Sequence, residues 1–273
     1  MPKKVTKLSE IKNPREEIVA QGNDLIRQAR FSLSALEQNI IYFAMSKIKP
    51  DDKDFMHLNF TVAEFCEVCG IAAEDGNQGG HEYRRVKAAV KSVSDKSVWV
   101  KYPTGAEVLI RWFDTCVILP DTGEMSIIFS QSMKPYLLGL IERAKLGGEG
   151  YTQTMLLTYL ALFSKYSKRI YEILKSYLYV KGNQEKLYRV THVEYGLDEL
   201  KRLVNAENYD RYPDFRRFVL ETAAREINAV TDISISFEPI KTRHKTTGVR
   251  FTFHHKQIMD RFYAIKAAQE ILS

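Results

Sequence analysis

Residues 205–253, NAENYDRYPDFRRFVLETAAREINAVTDISISFEPIKTRHKTTGVRFTF, decide the fold. From Pro213 to Val230, the residues Phe215, Val219, Thr222, Ala223, Ile227 and Val230 fall within one arc at about 100° per residue, which predicts a helix with that arc against a core. Asp214, Arg217, Glu221, Arg225 and Asn228 fall on the opposite side, and Arg216 lies nearer the apolar arc. Two β-rich segments follow, from Ile233 to Phe253, around the basic tip Lys241-Thr-Arg-His-Lys245. A helix with outward arginines followed by a basic hairpin is the arrangement by which a winged helix holds DNA.

The chemistry fits that arrangement. Arginine matches guanine edges and asparagine matches adenine edges in the major groove, so Arg217 and Arg225, with Asn228, are the candidate base readers. Lys241, Arg243, His244 and Lys245 suit phosphate or minor-groove contact. Taken alone, the polar arc also reads as a solvated face in which Glu221 pairs with Arg217 and Arg225 at four-residue spacing. The adjacent basic tip favours DNA.

Charge is distributed in the same sense. Residues 1–149 carry 20 Lys+Arg against 20 Asp+Glu, and residues 150–273 carry 20 against 14, so the whole net charge of +6 sits in the second part. Such asymmetry points to a polyanionic partner met mainly by one part of the chain. With 273 residues, 45% of them hydrophobic, the chain is long enough for two domains. The longest uncharged run, Tyr151 to Ser164, is too short to span a bilayer, and no apolar signal segment follows the lysine-rich start, which predicts a cytoplasmic protein without membrane contact. Three cysteines give no disulfide framework. Cys66-Glu-Val-Cys69 lacks a second ligand pair for zinc and reads as two small apolar positions of a helix. No metal or cofactor is implied.

Upstream, the same grammar recurs. Residues 1–20 read as a mobile tail. Ser34-Ala-Leu-Glu37 is a capping box that opens a helix with Leu36, Ile40, Phe43, Ala44 and Ile48 on one face. A strand from Met56 to Phe60 and a helix from Thr61 to Cys69 lead to the loop Gly76-Asn-Gln-Gly-Gly80. The next helix, His81 to Val93, buries Tyr83, Val86, Val90 and Val93, turns Arg84 and Lys91 outward and leaves Arg85 at the margin. Strands are predicted at Val98–Tyr102, Val108–Phe113, Cys116–Leu119 and Met125–Phe129, then a helix from Lys134 to Lys145 and a linker, Gly147-Gly-Glu-Gly150. Beyond it come a long helical region (Thr152 to Val180), a helix (Leu197 to Asn205), the Pro213–Val230 helix and the hairpin. The two third helices open alike, Tyr83-Arg-Arg-Val and Phe215-Arg-Arg-Phe. The expected fold is therefore α+β, two tandem winged-helix domains: residues 21–146, a linker at 147–150, and residues 151–273 as the main DNA-binding unit.

The segments Asn23-Asp-Leu-Ile-Arg-Gln-Ala, Leu33-Ser-Ala-Leu-Glu-Gln-Asn-Ile-Ile, Ser164-Lys-Tyr-Ser-Lys-Arg-Ile-Tyr-Glu-Ile-Leu-Lys, Tyr212-Pro-Asp-Phe-Arg-Arg-Phe-Val-Leu and Ala224-Arg-Glu-Ile-Asn-Ala-Val-Thr-Asp-Ile, in that order, resemble the replication initiators of iteron-containing, theta-replicating plasmids. The resemblance covers about Asn23 to Phe253. It implies two winged-helix domains that both touch double-stranded DNA, and monomers that bind direct repeats at the origin. It further implies dimers, formed through the first domain, that bind an operator inverted repeat and repress the protein's own gene. A host initiator ATPase, the replicative helicase and chaperones are its implied partners. Carried onto this chain, the contacts are Arg216, Arg217 and Arg225 in the second domain, and Arg84, Arg85 and Lys91 in the first. The rival reading is a dimeric transcriptional repressor without origin function. A nicking enzyme of the rolling-circle kind is not indicated, since none of the six histidines forms a His-hydrophobic-His pair, and no Gly-x-x-x-x-Gly-Lys-Ser/Thr loop is present for NTP hydrolysis.

Overall fold

Hydrophobic alternation and helix caps place the following elements in the computed structural model, which describes residues 13–48, 52–71, 80–101, 104–119, 122–147, 150–178 and 191–273. The first unit runs β1 (Ile18–Gly22), α1 (Asn23–Gln28), β2 (Ala29–Arg30), α2 (Ala35–Ser46), β3 (Leu58–Thr61), α3 (Val62–Val68), α4 (Gly80–Asp95), β4 (Ser97–Lys101), β5 (Glu107–Arg111), β6 (Phe113–Ile118), β7 (Glu124–Phe129), α5 (Lys134–Leu137) and α6 (Leu140–Lys145). The capping box of α2 has both arms: Glu37 N donates to Ser34 Oγ, and Ser34 N donates to Glu37 Oε2 at 2.6 Å. Thr61 caps α3 with one arm alone, its Oγ1 accepting from Glu64 N at 3.0 Å. Lys134 to Lys145 is not one helix, because Leu138 is extended and Gly139 takes a left-handed φ of 61° that restarts the chain as α6.

Beyond the glycines the chain runs β8 (Tyr151–Met155), α7 (Leu156–Leu160), α8 (Lys165–Tyr177), and then, as the second unit, β9 (His192–Gly196), α9 (Leu197–Leu203), α10 (Tyr212–Phe215), a π turn (Arg216–Glu221), α11 (Thr222–Val230), β10 (Ile233–Thr242), β11 (Lys245–His255) and α12 (Ile258–Leu272). The long helical region expected from Thr152 is thus a strand and two helices. The strand forms because Thr152 and Thr154 point inward while β8 pairs antiparallel with β1, Ile18 opposite Met155 and Gly22 opposite Tyr151.

That pairing corrects two expectations. Residues 13–20 are not tail: Val19 is fully buried in β1, and Arg15 donates to Val68 O at 2.9 Å and to Leu272 O at 2.8 Å. Nor do the glycines separate two independent bodies, since the strand that follows them belongs with the first strand of the chain. Residues 1–12 of the expected tail, 76–79 of the Gly-rich loop, 148–149 of the linker and 179–180 of the expected helical region lie outside the described residues.

Buried polar groups on α8 tie the units together. Arg169 donates to Ile26 O and Ala29 O, both at 2.7 Å, to Leu203 O at 3.3 Å and to Glu172 at 3.1 Å. One guanidinium thereby joins α1, β2 and α9, and its charge is paired inside the core. Hydrophobic residues from Val19 to Leu272 form a continuous core through both units.

The units differ in their sheets. In the second, β10-β11-β9 is a three-stranded antiparallel wing. In the first, the hairpin β4–β5 pairs with β2, while β3 pairs with β7 in a separate sheet, β3-β7-β6.

Candidate nucleic-acid interface

The chain enters the candidate reading helix through Pro213 in its first turn, where the missing N–H costs nothing. Phe215, Val219, Leu220, Ala223 and Ile227 are fully buried, and Val230 nearly so, which fixes the orientation of the helix on α8 and β10. The π turn settles the direction of Arg216. At an α-helical pitch this residue falls near the core arc; in the structure it is exposed, and its Nε donates to Glu221 Oε1 at 3.0 Å, five residues on. Five-residue spacing is the register of a π turn, and Thr222 Oγ1 donates to Arg217 O, also five residues back. Glu221 is thereby taken by Arg216 rather than by Arg217 or Arg225, neither of which forms an ion pair among the described residues. Both are exposed, and the Arg217 guanidinium sits 5.3 Å from the Phe218 ring centroid.

Asn228 is already engaged within the fold. Its Nδ2 donates to Ile235 O at 2.9 Å and its Oδ1 accepts from Ile235 N at 2.7 Å. Lys256 Nζ also donates to Asn228 O at 2.6 Å. The carboxamide that has the right shape for adenine has the same shape as a peptide group, and here it clamps α11 to β10. Reading a base with it means breaking both bonds.

The wing is amphipathic by alternation. Ile233, Ile235, Val249, Phe251 and Phe253 are buried, while Arg250 on the outer face bridges Glu194 at 2.5 Å and Glu238 at 3.1 Å. These two carboxylates raise the Arg250 pKa above its ordinary value. Strand β9 reaches only as far as Gly248, so Lys241 to Thr247 project as a two-stranded ribbon. Its register slips between Ile240 and Lys241, which places an extra residue on β11, and Arg243 at the turn has φ of 56°. A bulge and a left-handed arginine both re-aim side chains at a strand end. Lys241, Arg243, His244 and Lys245 are all exposed.

In the first unit, α4 exposes Arg84, Arg85 and Lys91, with Val86, Val90 and Val93 buried and Tyr83 half-buried. Arg84 Nε donates to Gly80 O at 3.0 Å and Lys91 pairs with Asp95 at 3.4 Å. Arg84 and Lys91 line a groove whose other wall is Phe113, Cys116 and Ile118 of β6. The structure brings Arg216, Arg217 and Arg225 onto one helix with the wing tip beyond it, and keeps Arg84, Arg85 and Lys91 as a separate group. Arg211, largely exposed at the helix entry, pairs with Asp214 at 3.8 Å.

The Cys66 and Cys69 thiols behave as apolar positions. Burial raises both, Cys69 to about 12. Among the described residues no helix is long and apolar enough to cross a membrane.

Comparison with known proteins gives two family matches. Residues 18–175 match the model of the initiator replication protein WH1 domain, and residues 196–253 match that of the initiator Rep protein WH2 domain. An Escherichia coli relative, PI protein, is 30% identical over 159 residues, 55% of this chain and 44% of that protein, so the match spans less than half of the relative's length. The crystal structure of Pi initiator protein in complex with iteron DNA superposes with a TM-score of 0.66 at 20% identity, covering 89% of this chain and 99% of that one, and establishes a common fold. The fold is accordingly two winged-helix domains.

Proposed function

The chain belongs to the family of initiator replication proteins, and from that premise we propose that it starts plasmid replication by binding the direct repeats, or iterons, of an origin as a sequence-specific reader of duplex DNA. The observation that carries this reading is the second unit's geometry: exposed Arg217 and Arg225, without an ion pair among the described residues, on a rigidly seated helix, next to a projecting hairpin that ends in Lys241, Arg243, His244 and Lys245. The helix lies in the major groove and the hairpin on the flanking backbone. Arg216, held by Glu221, and the group Arg84, Arg85 and Lys91 supply further contacts. The protein acts without nicking DNA or hydrolysing nucleotides.

We place the division between the units after α8 rather than at the glycines, a reading supported by the β1–β8 pairing. The monomer binds each direct repeat. A dimer, formed through the first unit, binds an inverted repeat and represses the protein's own gene. What supports that placement is a set of exposed apolar side chains, Trp99 and Leu109 paired across β4–β5 with Val117 on β6, in a stretch, residues 1–149, without net charge. Sedimentation of the full chain checks it: Leu109→Glu is expected to shift dimer to monomer, and an unchanged equilibrium places the contact elsewhere.

For the DNA reading, binding is measured on duplexes selected from random sequence by the full chain. Arg217→Ala and Arg225→Ala are each expected to cost about 1–3 kcal/mol and to relax specificity at one position. Lys245→Ala is expected to weaken all duplexes alike and to lower the salt slope by about one. Unchanged binding in all three variants overturns the reading.

A further inference from the structure

Arg216, Arg217 and Phe218 are three consecutive exposed residues. On an α-helix such a run subtends about 200°. The π turn, with more residues per turn, draws them closer to one side. Phe218 is the unusual member. It is 47% exposed, while Val219 and Leu220 directly after it are fully buried. Its ring is nevertheless held in place. It stacks on Tyr209 with centroids 6.0 Å apart and planes at 23°, and Tyr209 in turn meets Tyr166 of α8 at 6.0 Å and 68°. Two tyrosine rings thus brace the exposed one, and the Arg217 guanidinium lies beside it.

A phenyl ring offers neither donor nor acceptor. Along the major-groove edges of the four base pairs, the apolar group available to it is the C5-methyl of thymine. Its neighbour Arg217 has the fork that fits guanine O6 and N7. We propose that Phe218 reads the methyl group of a thymine lying within one base-pair step of the guanine that Arg217 contacts, so that the two side chains together recognise a thymine–guanine step. The inference rests on the reading of the Tyr212–Val230 helix as the major-groove element, and adds to it a residue that hydrogen-bond reasoning passes over. The bracing serves that role, since a ring already ordered before binding loses little freedom on contact.

The test uses the full chain and the duplex it selects from random sequence, remade with each thymine replaced in turn by deoxyuridine, which removes only the methyl. Wild-type protein is expected to lose about fourfold in affinity at one position, the factor for one buried methyl. Phe218→Ala is expected to bind the parent duplex about fourfold more weakly and to show no further loss at that position. Phe218→Leu keeps an apolar tip and part of the discrimination. Each thymine-to-uracil ratio is taken within one protein preparation, so a partly unfolded variant does not distort it. Replacing guanines by 7-deazaguanine locates the base whose loss is masked by Arg217→Ala, and it is expected next to the sensitive thymine. If Phe218→Ala keeps the wild-type pattern of uracil sensitivity while Arg217→Ala weakens binding, Phe218 reads no methyl and the helix remains the reader. If neither variant changes binding, the helix assignment itself falls, and this inference with it.

Discussion

The two winged-helix units share an order of helices but spend their strands differently. The second unit closes its wing with the strand that precedes α9, so that β10-β11-β9 form one sheet and the hairpin, ten and eleven residues long, reaches past it. In the first unit the equivalent strand, β3, is paired with β7, and the hairpin β4–β5, five residues a side, rests on the two-residue β2. A long hairpin braced at its base carries charge outward to a backbone. A short one, beside an added sheet whose β6 walls in α4, leaves its helix flanked and its apolar outer face open. On the reading proposed above, the same supersecondary unit would serve as a DNA reader in one copy and as an assembly surface in the other.

The largest effect expected from breaking this contrast comes from Gly248. A Cβ there sits 2.6 Å from Tyr195 O, because β9 and β11 approach at backbone contact. Gly248→Ala is expected to cost about 2–3 kcal/mol as the third strand is pushed away. Gly105, at the corresponding tip in the first unit, has φ of 87° with open space around it, so Gly105→Ala carries only backbone strain, about 1 kcal/mol. Urea denaturation of both variants ranks them, and equal losses mean that the third strand contributes nothing particular to the second wing.

Next in size is the asymmetry within DNA binding. Arg84→Ala, Arg85→Ala and Lys91→Ala are each expected to weaken selected and random duplexes by the same factor, lowering the salt slope by about one, whereas Arg217→Ala changes which duplex is preferred. Loss of sequence preference in a first-unit variant makes α4 a reader in its own right and removes the contrast. Asn228→Ala separates clamp from contact. With both bonds to Ile235 lost, stability is expected to fall by about 1–2 kcal/mol, while the preferred duplex stays the same. A changed base preference at full stability restores Asn228 as a reader.

Much of this was legible in the sequence, and the failures share a cause. The capping box, the buried faces of α4 and of the Pro213–Val230 segment, and the exposed basic tip follow from local spacing. Strands β1 and β8 were missed because each is short and made by a partner far along the chain, which no local period records. Strand β9 went unseen for the same reason: it is held by β11, some fifty residues on. The direction of Arg216 needed the π turn, which changes the angle per residue in mid-helix. The bonds of Asn228 to Ile235 went unseen because one carboxamide serves a base edge or a peptide group equally well.

The last test probes the seam between the units. Lys168 of α8 is fully buried; its Nζ donates to Tyr159 O at 2.6 Å, and burial lowers its pKa to about 7 against the opposing influence of Cys69, Glu226 and Glu172. These neighbours belong to both units, so the lysine reports on their packing. In the unfolded chain it titrates near the ordinary lysine value of 10.5. Between about pH 7 and pH 10.5 the unfolded state therefore binds more protons than the folded one, and stability rises with pH across that window; below it both states are protonated and the slope vanishes. Lys165 and Lys256, also lowered by burial, add slope of the same sign from elsewhere. Thermal melts from pH 7 to pH 9 are expected to show a rising Tm in the wild type and a shallower rise in Lys168→Met, with Lys256→Met as the control that leaves the seam intact. If Lys168→Met retains the full wild-type slope, Lys168 does not titrate in this window and the seam is wetter than its geometry implies. If the slope is lost and DNA affinity in the variant stays level over the same range, the two units are joined by packing that stabilises the fold without governing how the second one reads DNA.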